Sequence, residues 1–291
     1  MNTVKKIKSE STELPDCIIS YIFSKVSLKN LVKTSALSKQ WYLEWGLRKD
    51  LNFDLHNMFD YNPITDLPIA FPLFQQLQSQ FAASLDNFMQ KYPGDMISSI
   101  RVNFPLCVDH TYALDGLIHK GVLKGANRIE LLLPYTYKTD KSDLKIRPYL
   151  FPSLSGPNSL TYLRLRNCHI ATMEFSWLKN LRTLVLTHVP LKQNSLPDMC
   201  FNCIRLENFT LNQCRFLSDI KITSPTLLHL KIYCGGRFWT NNLDIIASNL
   251  LSLEYSSKFY THIYHKVNIN SPMLSKLTYT CGKIFNLSFL D

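Results

Sequence analysis

The sequence predicts an α+β chain: a small three-helix module, followed by a curved α/β solenoid with a parallel sheet on its concave face. Three observations point there. Residues 14–47 hold three short runs of apolar residues at helical spacing. From about residue 96 a leucine-centred pattern recurs, most regularly at positions 163, 184, 209, 230, 253 and 277, which stand 21, 25, 21, 23 and 24 apart. With 291 residues and 46% apolar content, the chain can bury a sizeable core beside one small module.

The first helix starts at Pro15, whose missing N–H is no loss in a first turn, and carries Ile18, Ile19, Ile22, Phe23 and Val26. Ser27 is placed to cap a second helix with Leu28, Leu31 and Val32, and Ser38 a third with Trp41, Leu43, Trp45 and Leu47. A unit of about forty residues buries too little surface to stand alone, so it needs a partner, either its own chain or another protein.

The order Leu14-Pro15, then Ile18, then Ser35-Ala36-Leu37-Ser38-Lys39 and Trp41 resembles the F-box, a helical adaptor-docking module of ubiquitin ligases, over residues 12–50. Leu28-Lys29-Asn30 stands where many F-boxes carry a proline or an acidic residue. The resemblance implies that Leu14, Pro15, Ile18, Ile22, Leu31, Val32, Leu37 and Trp41 meet a Skp-type adaptor and, through it, a cullin. The bland reading of the same residues is a three-helix cap on a repeat domain. The Ser-x-Leu-Ser-Lys-x-Trp ending is similar to that of the large plant set that joins F-boxes to leucine-rich repeats.

Residues 51–95 are punctuated by Asn62-Pro63, Leu67-Pro68 and Phe71-Pro72, then carry Phe74, Leu77, Phe81, Leu85 and Phe88 up to Tyr92-Pro93-Gly94. They read as a linker and one amphipathic helix packing on the first repeat.

Residues 96–291 form the repeat domain. The clearest units are Leu160, Leu163, Leu165, Cys168 and Ile170, then Leu181, Leu184, Leu186, Val189 and Leu191, then Leu206, Phe209, Leu211, Cys214 and Phe216. Weaker units are centred on Leu230, Leu253 and Leu277, and two degenerate ones on Ile100 and Ile129. The pattern L-x-x-L-x-L-x-x-C/N-x-L resembles leucine-rich repeats, in which each L-x-L segment is a strand with its apolar side chains in a shared core. Residues 135–157 lengthen one unit and are expected to form a rim loop. The chain closes at Asp291 with no polar capping unit, as a shortened form of a longer solenoid would.

Counting the outward positions gives a concave face with Arg101, Arg128, Arg164, Arg166, Lys231 and Lys276 against Glu130 and Glu254. That excess agrees with a net charge of +10 and predicts a preference for acidic partners. With Tyr162 and Tyr233, these six cations are the candidate target-binding residues, since Arg and Tyr carry much of the binding energy at interfaces. The opposing reading is an ordinary solvated sheet face.

No Cys-His-Asp arrangement, paired-carboxylate motif or phosphate-cradling glycine loop appears, which argues against an enzyme. Cys200 and Cys203 lack a second pair at zinc-binding spacing, so no metal and no cofactor are expected. The basic residues are spread over many repeats instead of clustering with aromatics, so nucleic-acid binding is disfavoured. Neither a signal-peptide pattern nor an apolar run of membrane length occurs, and the expected location is the nucleus or cytoplasm. The function implied is the substrate-recognition subunit of a Skp-cullin-F-box ubiquitin ligase; the alternative is a leucine-rich repeat interaction scaffold without ligase activity. In either case the module and the solenoid are expected to have separate cores.

Overall fold

The computed structural model describes residues 15–34, 45–59, 71–134, 147–152, 154, 159–170, 175–191, 195–216, 219–234, 242–257, 266–281 and 287–289. Leu14, Leu37, Trp41 and most of the expected third helix lie outside these residues. The chain opens with α1 (Asp16–Lys25) and α2 (Leu28–Thr34), followed by a 3-10 turn at Trp45–Leu47. Pro15 is the residue before α1, not a member of its first turn, and its carbonyl accepts from the N–H groups of Ile18 and Ile19 at 2.9 and 3.1 Å. Ser27 caps α2 as expected: its Oγ accepts from the Asn30 N–H at 3.3 Å.

Nine parallel strands follow, side by side: β1 (Asp50–Asp54), β2 (Ser99–Asn103), β3 (Arg128–Leu132), β5 (Tyr162–Arg166), β7 (Thr183–Thr187), β9 (Asn208–Asn212), β12 (His229–Cys234), β14 (Ser252–Ser257) and β16 (Lys276–Cys281). Pairing is in register throughout, so Leu51, Ile100, Ile129, Leu163, Leu184, Phe209, Leu230, Leu253 and Leu277 form one rung. All of these but Leu277 are buried. The strands alternate because side chains on a strand point to opposite faces, so each L-x-L sinks two residues into the core and leaves the flanking positions on the far face.

Short pairs close the turns beyond the main strands: β4 (Leu150–Phe151) with β6 (His169–Ile170), and β8 (Pro190–Leu191) with β10 (Arg215–Phe216). The residues directly after β5, β7 and β9, namely Asn167, His188 and Gln213, adopt positive φ of 56°, 53° and 51°. Each donates its N–H across to the last residue of β7, β9 or, at Tyr233, to β12, at 3.0, 2.9 and 2.7 Å. Asn167 also donates from Nδ2 to the Leu133 carbonyl at 2.7 Å in the core.

The outer layer changes character along the chain. In the first half it is helical: α3 (Leu55–Phe59), α4 (Phe71–Lys91), α5 (Thr111–Leu123), a 3-10 turn at Phe175–Leu178 and α6 (Ser195–Asn202). In the second half it is a four-stranded parallel sheet of β11 (Ile220–Thr223), β13 (Asn242–Ile246), β15 (Lys266–Asn270) and β17 (Leu287–Phe289). The outer sheet, β1 and α5 extend beyond the sequence reading. The stretch read as a linker opens with the last four residues of β1, in which Leu51 and Phe53 point inward and Asp50, Asn52 and Asp54 outward.

The expectation of separate cores is corrected. Phe23, Leu28, Leu31 and Trp45 belong to the same continuous cluster as Leu51, Phe53, Phe81 and the repeat leucines. Trp45 meets Phe88 and Tyr92 edge-on, with ring centroids 5.1 and 5.6 Å apart. Buried Arg48 donates from Nη1 to the carbonyls of Phe23, at 3.1 Å, and Val26, and from Nε to that of Asp50 at 3.1 Å, tying the end of α1 to the start of β1. A module too small to stand alone has found its partner in its own chain.

Candidate interaction surfaces

Helix α1 is apolar on two sides. Ile19 and Val26 pack on the core and Phe23 is buried in it, while Ile18, Tyr21 and Ile22 are exposed, as is Val32 on α2. Spacing of three and four residues puts Ile18, Tyr21 and Ile22 on one face, where Lys25 Nζ lies 5.2 Å from the Tyr21 ring centre. An apolar stripe left open on a helix that already has a buried face is the signature of a second contact. Of the residues expected to meet an adaptor, Ile18 and Ile22 lie on this face, Val32 is exposed on α2 and Pro15 is exposed at the start of α1. Leu31 does not: it is fully buried, and its part is to hold α2 against the core. Tyr21 was not singled out in the sequence, although it shares the i, i+4 face of Cys17 and Ile18.

On the inner sheet, register groups the outward residues into three rows. The middle row runs Asn52, Arg101, Glu130, Arg164, Val185, Thr210, Lys231, Glu254, Thr278. The predicted cations separate into two groups along it. Toward the N-terminal end, Glu130 lies under the arginines: its side chain is 8% exposed, against 47%, 46% and 42% for Arg101, Arg128 and Arg164. Arg128 donates from Nε to Glu130 Oε1 at 2.8 Å, with Nη2 at 2.6 Å from the same oxygen. Arg101 and Arg164 stand 4.0 and 3.9 Å from Oε2, within ion-pair range and beyond hydrogen-bond length. The Arg128 guanidinium also lies over the Tyr162 ring at 3.7 Å. Arg166 completes the group in the next row, and Leu132 between them is buried although its position faces outward.

The second group is smaller and more nearly balanced. Lys231 pairs with Glu254 at 3.2 Å, and Tyr233 interacts with the same carboxylate. The Tyr233 hydroxyl, with Lys231 and Lys276 nearby, holds the Glu254 carboxyl below its ordinary range, and burial first, then that carboxylate, raises the Tyr233 phenol. Between the groups the outward residues of β7 and β9 are Thr183, Val185, Thr187, Asn208, Thr210 and Asn212, all uncharged. Sequence counting placed all eight candidate target-binding residues on this face; it did not show that they form two patches.

The buried cysteines are not reactive centres. Burial pushes the thiols of Cys168, Cys200, Cys203 and Cys214 up to about 12, so they stay protonated. Among the described residues no group of His, Cys, Asp and Glu is placed to hold a metal ion.

Comparison with known proteins bears on both surfaces. Residues 11–45 match the F-box domain, and residues 88–288 match the family described as At1g61320/AtMIF1, LRR domain. Among curated proteins, the chain is 25% identical over 228 residues to F-box/LRR-repeat protein At3g26922 of Arabidopsis thaliana, covering 76% of this chain and 66% of the relative. It is 30% identical over 241 residues to F-box/FBD/LRR-repeat protein At3g52680 of the same plant, covering 80% and 48%. Over 238 residues it is 22% identical to F-box/FBD/LRR-repeat protein At5g56420, also from Arabidopsis thaliana, covering 80% and 51%. The chain thus spans about half to two thirds of the length of these relatives. No solved structure matches it significantly.

Proposed function

Because the chain belongs to the plant proteins that join an F-box to leucine-rich repeats, we propose that it is the substrate-recognition subunit of a Skp-cullin-F-box ubiquitin ligase. The module docks a Skp-type adaptor, the adaptor brings the cullin, and the inner face of the solenoid captures a target protein. The chain performs no chemistry of its own. The observation that carries this reading is the second apolar face of α1, where Ile18, Tyr21 and Ile22 are exposed. The alternative, a scaffold on which the module is merely a cap, draws on the opposite face, since Phe23, Leu28, Leu31 and Trp45 do close the solenoid core. Capping uses the inner side and leaves the outer side free for a partner, so the two roles are compatible.

Co-purification of the full chain with a Skp-type adaptor tests the docking. Ile18→Glu with Ile22→Glu should abolish it while leaving the unfolding midpoint nearly unchanged, because both side chains are exposed. Cys17, exposed beside Ile18, should be alkylated readily in the free chain and protected in the complex. Undiminished adaptor binding by the double variant would show that the partner sits elsewhere.

For the target, Arg101, Arg128, Tyr162, Arg164, Arg166, Lys231, Tyr233 and Lys276 form the proposed surface, and its charge favours an acidic partner. Arg164→Glu with Arg166→Glu should preserve adaptor binding and weaken target capture; unchanged capture would move the site off this face.

A further inference from the structure

The two basic groups on the inner face differ in what their charges lack. Lys231 has Glu254 at 3.2 Å, and the carboxylate is further engaged by Tyr233. In the other group three arginines, Arg101, Arg128 and Arg164, share one glutamate with Arg166 in the next row, and among the described residues Glu130 accepts its side-chain hydrogen bonds from Arg128. Arg164 Nε and Arg166 Nε are shielded from solvent and find no acceptor among the described residues. The Arg164 side chain is still 42% exposed, so an acceptor brought by a ligand can meet the open edge of its guanidinium.

The distribution of the charges selects among acidic ligands. An extended acidic segment needs cations along its length, yet β7 and β9 offer only Thr, Val and Asn. Arg101, Arg128, Arg164 and Arg166 instead occupy three neighbouring strands, a width of roughly 10 Å at ordinary strand spacing. Four guanidiniums around one spot suit a single compact group carrying two negative charges and several acceptor oxygens.

We propose that Arg101, Arg164 and Arg166, with Arg128 held in place by Glu130, form a socket for the phosphate of one phosphorylated side chain on the target protein. The proposal rests on the inner face being the target surface and narrows it to its N-terminal half and to one chemistry. Glu130 is a positioning residue, fixing Arg128 against Tyr162 and keeping the other guanidiniums gathered. The uncharged strands and the Lys231 group then contact flanking parts of the target.

The test uses the full chain and three fluorescent nonapeptides with neutral flanks, bearing phosphoserine, glutamate or serine at the centre, read by anisotropy at fixed ionic strength. The phosphoserine peptide should bind about tenfold or more tightly than the glutamate peptide, and Arg164→Gln or Arg166→Gln should each weaken it about tenfold. Lys231→Gln with Lys276→Gln should change it by less than about twofold. Equal binding of the phosphoserine and glutamate peptides, still lost in the arginine variants, would overturn the phosphate socket and leave the acidic-target surface standing. Equal sensitivity to the lysine variants would overturn the location. Displacement by inorganic phosphate at the concentration that displaces free peptide would overturn the protein source of the phosphate, and no binding by any peptide would overturn the socket altogether.

Discussion

His110 is buried beside Cys107, whose backbone N–H donates to its Nδ1 at 3.4 Å, and Asp109 is its charged neighbour. Burial lowers its pKa below the ordinary 6.5, and His188 is lowered too, by burial first and then by Arg166 and Arg215. As pH falls through that ordinary value the unfolded chain takes up protons that the folded chain refuses, so stability decreases toward acid and is highest above it. The urea midpoint should drop between about pH 7 and about pH 5, and drop less in His110→Gln. A parallel slope in the variant would remove His110 from the explanation. The thiols give a second residue-level expectation. Under native conditions Cys17 should react with iodoacetamide well before Cys168, Cys200, Cys203 and Cys214, whose burial keeps them protonated, and peptide mapping after a short exposure reads the order.

Contacts between elements join the module to the solenoid. Gly94 follows α4 so closely packed that an added Cβ would lie 2.4 Å from both the Gly46 carbonyl oxygen and the Tyr92 hydroxyl. Gly94→Ala should therefore cost about 2–3 kcal/mol by forcing this loop off the 3-10 turn that carries Trp45. Arg48→Met should cost about 2–4 kcal/mol, because it strands the carbonyls of Phe23, Val26 and Asp50. Urea titrations of each variant read both values, and a loss below about 0.5 kcal/mol in either would mean that the junction is not where the module is held. Elements were legible in the sequence where the pattern was dense. Every rung from Ile100 to Leu277 pairs in the register the leucine spacing implied, and the outward positions follow from it. Strand β1 was hidden because Asp50, Asn52 and Asp54 are poor strand formers and only Leu51 and Phe53 mark it. Asp54 also turns the chain into α3 by accepting from the Asn57 N–H at 2.8 Å, so it reads as a cap. The arginines were singled out in the sequence but their gathering around Glu130 was not: Glu130 meets Arg101 and Arg164 across strands 29 and 34 residues apart, and only the register shows that they are neighbours.

At the scale of the whole molecule, the shared core predicts one transition instead of two. Far-UV circular dichroism and tryptophan fluorescence, which includes Trp45 at the junction, should report coincident urea midpoints for the full chain. A chain begun at residue 51 loses Trp45, Arg48 and Asp50 and should be markedly less stable; an unchanged midpoint would restore the picture of independent parts. Adaptor binding to the module should in turn raise the midpoint of the solenoid, since whatever binds the folded state alone stabilises all that folds with it. The exchange of outer helices for an outer sheet has a geometric consequence. Packed helices need about 8–10 Å each where strands need about 4.8 Å, so helical backing acts as a set of wedges that splay the rear of each unit. Once strands back strands, front and rear advance by the same step and the wedges vanish. The helix-backed part should therefore curve more than the strand-backed part, a difference that small-angle scattering of the full chain would read, and the arginines of β2, β3 and β5 lie in the part expected to bend.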